Sequence, residues 1–295
     1  MRRVEKRIGP GDEGRSVRDV LRNDLSFSDG RISRLKRLPD GILLDGEKAY
    51  VTARVREGQL LSARAEDGFA QAAEPVPVFL PVLYEDEDYV VIDKPAGIAV
   101  HATGRGAGET TLENAMAALL GPGCGAHPVS RLDRGTTGAM LWAKSGWAHE
   151  LARRSQREGA YRREYLAVIR GGGLPDEGVI DLPVGKREGF GWRRFVSGDG
   201  LPARTRYRVL GAVGGSALCL VSPETGRTHQ IRLHFAAMGC PLLGDETYGG
   251  AADGFARPLL HSYRLVWTRP VTGEEIVLTA PVPADMEEFA DLVTR

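Results

Sequence analysis

Short apolar segments of strand length, separated by irregular loops rich in Gly and Pro, make up most of the chain after residue 82. Two segments, Leu112–Leu120 and residues 147–157, instead have the spacing of amphipathic helices. Strands outnumber helices, and the connections are too irregular for a doubly wound parallel sheet. The pattern predicts an α+β fold with a mostly antiparallel mixed sheet and flanking helices. The clearest predicted strands are 139–142, 165–169, 217–221 and 276–278. A further strand is predicted to begin at residues 82–85 and to continue into residues 89–93.

The first part of the chain has the pattern of a small separate α+β unit. Ser16 is placed to cap a first helix, and a second helical segment spans residues 28–38. Short alternating segments around Asp45-Gly46 predict a hairpin. Ala, Pro and Glu then dominate a stretch typical of a linker. We therefore predict a small unit at 1–68, a linker at 69–81 and a large domain at 82–295.

Charge is balanced over the whole chain, with 39 basic and 39 acidic residues. A polyanion can therefore bind only where positive charge clusters. Residues 150–208 contain 13 basic and 8 acidic side chains. The second predicted helix has no acidic residue between positions 31 and 37, and its basic residues are Arg31, Arg34, Lys36 and Arg37. Two such clusters indicate two contacts to a nucleic acid.

The cysteines and the hydropathy of the chain indicate its compartment. Cys124, Cys219 and Cys240 are widely spaced and match no metal or disulfide pattern, so we expect reduced thiols. The N-terminus lacks the apolar run of a signal peptide. No apolar stretch approaches the roughly 20 residues that a membrane span needs. We expect a cytoplasmic protein that does not enter a membrane.

The strongest candidate for catalysis is Asp133, in the loop that leads into the predicted strand 139–142. Arg131 and Arg134 flank it, and nearby positive charge stabilises a carboxylate. The small residues that follow leave room for a ligand against the backbone. A turn aspartate satisfied by neighbouring amide and hydroxyl groups is the alternative interpretation.

Two further segments contain candidate binding residues. Residues 225–235 include Arg227 and Arg232, whose planar guanidinium groups suit phosphate or carboxylate partners. The two histidines of this segment are five positions apart, which is not the spacing of a helical metal pair. On a predicted strand, Tyr165 shares one face with Tyr161 and Arg163, although a strand tyrosine is commonly a packing residue.

These segments, together with Lys94-Pro95-Ala96-Gly97, resemble the RluA family of pseudouridine synthases in type and in order. The resemblance covers residues 80–295, and residues 14–68 resemble an α-L RNA-binding domain. It implies that Asp133 is the catalytic carboxylate, that Arg232 pairs with it and that Tyr165 lies in the active site. It also implies that Arg131 replaces the flipped base in the RNA helix. Ser130 stands where the family usually has His. The remaining substrate or RNA contacts implied are Arg227, His229, Gln230 and Lys94.

The family chemistry defines what the site would do. A uridine is flipped out of the RNA, at a cost of a few kcal/mol, and stacks on Tyr165. Asp133 attacks or deprotonates the ribose, the bond to nitrogen breaks, and the base rotates and reattaches through a ring carbon. No metal, nucleotide or redox cofactor is expected. The expected partner is 23S ribosomal RNA or transfer RNA, bound by a monomer.

Two other functions are compatible with parts of the pattern. A non-catalytic RNA-binding protein on the same scaffold would be expected to lack the catalytic aspartate, which this chain retains. A glycoside hydrolase would need two carboxylates converging on one bond, and the matched segments offer no evident second acid.

Overall fold

The computed structural model describes residues 2–66, 73–102, 108–121, 125–171, 173–249 and 254–293. Its strands are β1 Arg3–Arg7, β2 Ile42–Leu44, β3 Glu47–Lys48, β4 Leu60–Arg64, β5 Val82–Glu85, β6 Tyr89–Lys94, β7 His127–Pro128, β8 Thr137–Ala143, β9 Tyr161–Arg170, β10 Glu177–Asp181, β11 Val184–Lys186, β12 Arg194–Val196, β13 Arg204–Val213, β14 Ser216–Pro223, β15 Leu260–Thr268 and β16 Glu275–Thr279. Its α-helices are α1 Val17–Asn23, α2 Asp29–Leu35, α3 Leu112–Leu120, α4 Gly146–Arg157 and α5 Gln230–Ala237. Two 3-10 segments span Pro10–Asp12 and Ala284–Leu292.

Within the described residues, one ten-stranded sheet organises the large domain. Its strand order is β10-β13-β14-β9-β15-β8-β6-β5, with β16 paired to β15 and β7 paired to β8. The β15–β8 pair is parallel and the other pairs in this sheet are antiparallel. The predicted mostly antiparallel mixed sheet is therefore confirmed.

The segment after residue 82, predicted as one continuing strand, is an antiparallel pair of strands. The turn between β5 and β6 is closed by the Asp86 carboxylate, which accepts hydrogen bonds from the backbone N–H groups of Asp88 (2.8 Å) and Tyr89 (2.7 Å). An aspartate that bonds backbone amides two and three residues ahead favours such a turn. The prediction of a continuous strand was wrong because this turn contains neither Gly nor Pro.

The N-terminal unit is a four-stranded antiparallel sheet, in the order β1-β4-β2-β3, covered by two short helices. The predicted cap of α1 is confirmed: the Ser16 hydroxyl accepts a hydrogen bond from the Asp19 amide at 3.1 Å. Ser28 caps α2 in the same way, with the Arg31 amide at 3.2 Å. The edge strand β1 was not predicted, because four of its five residues are charged and only Val4 is buried.

The N-terminal unit and the large domain share one apolar core. Phe27 packs on Trp147 of α4 with ring centroids 6.2 Å apart, and the indole N–H donates to the Leu25 carbonyl at 2.8 Å. Arg31 is buried at this boundary and donates to the Ala65 carbonyl at 3.1 Å. The contacts are thus more extensive than the predicted linker implies. The division at 1–68, 69–81 and 82–295 stays a prediction.

Burial corrects one residue of the predicted basic RNA contact. Arg31 has 4% exposure: its guanidinium donates to the Ala65 carbonyl and lies 3.5 Å from the Glu150 carboxylate of α4, so it offers no surface to a phosphate. Its periodicity placed it on the polar side of an isolated helix, whereas the large domain covers that side. The other three basic residues of the cluster, Arg34, Lys36 and Arg37, are exposed.

The structure bears on the predictions about the cysteines and about membrane spans. Cys219 and Cys240 are buried free thiols, and Cys124 lies outside the described residues. Among the helices that the structure describes, none is both long and apolar enough to cross a bilayer.

We expect Gly138→Ala to unfold far more easily than the wild type. Gly138 lies opposite Ser262 in the parallel contact of β8 with β15; its φ is +105°, and an added Cβ would lie 2.3 Å from the Ser262 carbonyl oxygen. Backbone strain and overpacking together predict a loss of about 3 kcal/mol, measured by urea unfolding. Gly46→Ala is the control, because Gly46 has φ +86° with no atom within 4 Å and should lose only about 1 kcal/mol. Equal losses in the two variants would contradict the close approach at Gly138.

Stability should also fall in mild acid because of His261 on β15. This ring is fully buried, with Nδ1 2.9 Å from the Thr137 hydroxyl, and burial lowers the pKa of His261 to about 4. The unfolded chain takes up the proton near pH 6.5 and the folded protein does not, so stability is lost as pH falls from 6.5 to 4. The loss from this group is at most about 3 kcal/mol. His261→Asn should flatten the curve of unfolding free energy against pH, and His101→Gln, at a partly exposed histidine, should leave it unchanged.

Candidate active site

A cleft of about 1900 Å³ opens beside the parallel strand pair. Loops that precede β8 and β15, the start of β9, and the segment joining β14 to α5 line it. Small-molecule pockets have volumes of roughly 300–1,000 Å³. This cleft is therefore large enough for part of a polymer.

Asp133 lies in the loop before β8, with its side chain 23% exposed to the cleft. Its own carbonyl accepts the Thr136 amide at 3.1 Å, which closes a turn. Arg257, which is buried, donates to the Gly135 carbonyl at 3.2 Å and binds both oxygens of Asp285 at 2.7 Å. These contacts hold the loop rigid, so the carboxylate is presented in one place.

Lys94 supports the same loop from below. Its ammonium donates to the carbonyls of Pro95 (2.8 Å), Thr136 (3.0 Å) and Arg134 (3.1 Å). The side chain is fully buried, and burial lowers the pKa of Lys94 to about 8, with the charge of Asp133 opposing the shift. The expectation that Lys94 contacts RNA is therefore wrong, because its three N–H groups are used within the loop.

Arg232 brings two carboxylates together. From α5, its Nη1 donates to Asp133 Oδ2 at 3.2 Å, while Nε and Nη2 donate to Asp245 Oδ2 and Oδ1 at 2.7 Å each. Burial opposes the charge of Arg232, but the hydrogen bonds and charges of both partners outweigh it and raise its pKa. The predicted pairing of Arg232 with Asp133 is confirmed.

Asp245 is a further residue of the site: its segment resembles the family's, but the sequence predicted no role for it. It is fully buried and binds the guanidinium through both oxygens. The preceding Gly244 has φ +72°, and a Cβ there would lie 2.0 Å from the Arg257 carbonyl oxygen, so only glycine fits this turn. The available signal was the Gly244-Asp245 pair within the matched segments, although nothing local linked it to Asp133.

Tyr165 lies on the floor of the cleft, with 4% exposure. Burial raises the pKa of its hydroxyl, which the positive charge of Arg163 partly opposes. The predicted common face of β9 is confirmed: the Arg163 guanidinium lies 5.6 Å from the Tyr161 ring centroid and 5.8 Å from that of Tyr165. Ser130, at the position where the family usually has His, bonds the Tyr161 hydroxyl at 2.9 Å.

His229 borders Asp133 at the start of α5. Its backbone is left-handed, with φ +58°, and its Nδ1 lies 2.9 Å from the Tyr248 hydroxyl. Its Nε2 is 3.9 Å from the nearer Asp133 oxygen. Burial lowers the pKa of His229, with the charge of Asp133 opposing. A residue with a strained backbone beside a carboxylate in a cleft is typical of a functional site.

Gln230 stabilises the segment before α5. Its Oε1 accepts from the Thr225 hydroxyl (2.7 Å) and the Arg227 amide (3.0 Å), and its Nε2 donates to Thr205 Oγ1 (2.9 Å) and the Arg204 carbonyl (3.0 Å). All its hydrogen-bonding capacity is used, and it is 3% exposed. The expectation that Gln230 contacts RNA is not met, whereas Arg227 is exposed at the cleft.

The cleft is positive although the whole chain is neutral. Of its charged lining residues in the described part of the chain, nine are Arg or Lys and three are Asp or Glu. The basic set consists of Arg131, Arg134, Arg153, Arg163, Lys186, Arg194, Arg227, Arg232 and Arg257, and the acidic set of Glu113, Asp133 and Asp285. The exposed Trp192, 48% accessible, lies at the same rim. The clustered positive charge favours binding of a polyanion. The Trp192 ring offers a face on which a base can stack.

A carboxylate paired with an arginine in a positive cleft is an arrangement suited to an enzyme that acts on nucleic acid. Residues 88–237 match the family model described as RNA pseudouridylate synthase. The chain is 39% identical over 261 residues to a ribosomal large subunit pseudouridine synthase D of Nitrosomonas europaea. This alignment covers 83% of the present chain and 74% of the relative. It is 36% identical over 240 residues to an uncharacterized RNA pseudouridine synthase of Bacillus subtilis, covering 80% of this chain and 79% of that one.

A solved structure agrees with these sequence matches. Human RNA pseudouridylate synthase domain containing 4 superposes with a TM-score of 0.60 at 25% identity, covering 72% of this chain and 93% of that one. The chain belongs to the RNA pseudouridine synthase family. It is an isomerase that acts on RNA and converts uridine to pseudouridine.

Proposed function

We propose that this enzyme modifies uridine in large-subunit ribosomal RNA, with Asp133 as its catalytic carboxylate. The observation that carries the proposal is the geometry at Asp133: a partly exposed carboxylate paired with the buried Arg232 and facing a positive cleft. The RNA class rests on relatives named ribosomal large subunit pseudouridine synthase D, such as that of Nitrosomonas europaea.

The arrangement suits each step of the isomerisation. A flipped uridine stacks on Tyr165, which recovers part of the few kcal/mol spent on unstacking. The exposed Arg131 stands at the cleft and would fill the gap left in the RNA. Asp133 attacks or deprotonates the ribose as the glycosidic bond to nitrogen breaks. The base rotates and bonds to the same ribose carbon through its ring carbon, and Asp133 gives up its bond to the ribose or returns the proton that it took. The ring carbon loses its proton and the freed ring nitrogen takes one up, so no atom is gained or lost overall.

The site must also keep the detached base from water. Lys94 and Arg257 hold the catalytic loop from the protein side, and Arg232 fixes the carboxylate. A pre-positioned charge in an enclosed site needs little reorganisation during the reaction. This rigidity favours recapture of the base over hydrolysis of the intermediate.

The structure weakens the case for a glycoside hydrolase despite a second acid near Asp133. Asp245 is that acid, and the sequence analysis had not recognised one. Both of its oxygens bind Arg232 and it has no exposed surface. It therefore cannot deliver a proton or activate water as the second carboxylate of a hydrolase must. A purely RNA-binding role gives no reason for the assembled carboxylate and guanidinium.

The experiment that tests the proposal is transcriptome-wide mapping of pseudouridine. Cells that lack the gene should lose pseudouridine at one or a few positions of large-subunit ribosomal RNA. Expression of the wild type should restore them, and expression of Asp133→Asn should not. Loss confined to transfer RNA would overturn the proposed RNA class, and no lost position would refute the assignment of this chain as an active modifying enzyme.

The exposed part of the basic cluster on α2 should contribute to RNA affinity. Changing Arg34, Lys36 and Arg37 together to Gln should weaken binding and lower the slope of log affinity against log salt by about 2 to 3. Turnover on saturating RNA should stay unchanged, because phosphate contacts position the RNA without taking part in the chemistry. Filter binding at several salt concentrations measures both effects. Arg264→Gln is the control, because Arg264 is an exposed arginine on β15 that does not line the cleft. Equal binding by the triple variant at every salt concentration would exclude this RNA contact.

The expected monomeric state and cytoplasmic location stay predictions. Size-exclusion chromatography with light scattering tests the first, and fractionation of cells that express a tagged protein tests the second.

A further inference from the structure

Arg163 is an arginine of the cleft whose guanidinium contacts only aromatic rings among the described residues. In the described residues, its side chain makes no hydrogen bond and no ion pair, and it contacts the rings of Tyr161 and Tyr165. Its neighbours on the fold are paired differently: Arg232 binds two aspartates, and Arg257 binds Asp285. Arg163 is thus the partly buried arginine of the cleft that keeps its hydrogen-bond donors available.

The position of Arg163 is suited to a ligand rather than to the fold. The side chain extends from near the start of β9, beside the floor residue Tyr165. Its Nη2 faces Gly226, where an added Cβ would lie 3.5 Å away, so the glycine leaves this end of the guanidinium uncovered. Cation–π contacts orient the group, but each contributes only about 0.5–2 kcal/mol and leaves the N–H donors unused.

An anionic ligand is the chemistry that such a group requires. Partial burial of a guanidinium that has no carboxylate partner costs free energy, and an anion that pairs with it offsets that cost. Its planar fork of N–H donors matches the oxygens of a phosphate, whereas the carbonyl groups of uracil are neutral and would offset less of that cost. The rest of the cleft is basic as well, so a backbone phosphate is drawn toward it.

We propose that Arg163 binds a phosphate that directly flanks the flipped uridine, while Tyr161 and Tyr165 hold the guanidinium in place. This inference rests on the proposed function, because it assumes an RNA whose target base stacks on Tyr165. It assigns to β9 two adjacent tasks, base stacking and capture of the neighbouring phosphate. The contact would fix the flipped nucleotide from its backbone side.

The experiment uses the full-length enzyme and a transcript of the large-subunit RNA segment that contains the mapped uridine. Arg163→Gln should raise the dissociation constant roughly tenfold, since it removes a charge-assisted hydrogen bond to the phosphate. It should also reduce the salt slope by about 0.7 to 0.9, the value of one phosphate. Arg163→Lys should keep the slope and part of the affinity. Arg162→Gln is the matched control, because Arg162 is exposed on the opposite face of β9 and pairs with Glu275.

A neutral methylphosphonate placed 5′ or 3′ of the target uridine identifies the phosphate. At one of these positions it should weaken wild-type binding by the same factor as Arg163→Gln, and it should not weaken that variant further. Additive losses at both positions, or an unchanged salt slope with a lower rate constant, would overturn the phosphate contact. If Arg163→Gln fails to fold in thermal unfolding, the methylphosphonate series on Arg163→Lys carries the same test. A wild type that makes no pseudouridine in the transcript would instead refute the proposed function.

Discussion

Asp133→Asn will fold and bind RNA like the wild type but will form no measurable pseudouridine. The substitution removes the charge without changing the volume of the side chain, and Arg232 keeps both of its bonds to Asp245. The lost group is the proposed nucleophile or base, so the rate should fall by at least about 10³-fold. Tritium release from RNA labelled at the uridine ring carbon measures the reaction, and filter binding measures the affinity.

Glu113→Gln is the control for this substitution. Glu113 lies on α3, lines the same cleft and pairs with His101 at 2.8 Å. It also loses one negative charge at constant volume, so a general change in cleft electrostatics would affect both variants. Full activity in Glu113→Gln beside none in Asp133→Asn is the expected pair of results. Substantial turnover in Asp133→Asn would remove this residue from the mechanism.

Asp245→Asn should have the second largest effect, although Asp245 never meets the substrate. Its two bonds fix the Arg232 plane, and that plane fixes the Asp133 carboxylate. An amide can accept only on one side, so Arg232 should turn and the carboxylate should move. Misplacement of a reacting group by about 1 Å costs about 100-fold in rate. We expect a loss of this size in the single-turnover rate constant with an unchanged dissociation constant for RNA.

Asp245→Asn should also lose stability, so its loss of rate must be measured separately from its loss of folded protein. Breaking a buried ion pair costs about 3–5 kcal/mol, so rates are compared at a temperature where urea unfolding shows the variant to be folded. Asp88→Asn is the matched control: Asp88 is a buried aspartate that binds Arg2 at 3.1 Å, outside the cleft. It should lose stability and keep its rate constant. A wild-type rate constant in Asp245→Asn would show that Arg232 holds its position without this partner.

Local features of the chain could be predicted from the sequence alone. Ser16 stands one residue before an apolar helical repeat, and it caps α1 as predicted. The alternation that placed Tyr161, Arg163 and Tyr165 on one face needed only the two-residue period of a strand. Such signals arise within a few residues, where sequence distance and spatial distance coincide. The order of the matched segments likewise pointed to Asp133 without knowledge of how they pack.

Burial was the property that the local patterns misjudged. Arg31, Lys94 and Gln230 are polar residues beside binding segments, so contact with RNA was the natural expectation. In the folded chain they donate to carbonyl groups of their neighbours and have at most 4% exposure. Polar side chains can serve the surface or satisfy buried backbone groups, and residue type does not distinguish the two. The packing of the N-terminal unit on α4 decided the case of Arg31.

The site itself exists only in the tertiary structure. Asp133 and Arg232 are 99 positions apart in the chain, and Asp245 lies a further 13 positions on. The residue types and their order could be read along the chain, and a resemblance supplied one pairing. The sharing of one guanidinium by two carboxylates, and the isolation of Arg163 between two rings, depend on how β8, β9 and α5 converge. Strand pairing between distant segments sets that convergence, and no local preference along the chain encodes it.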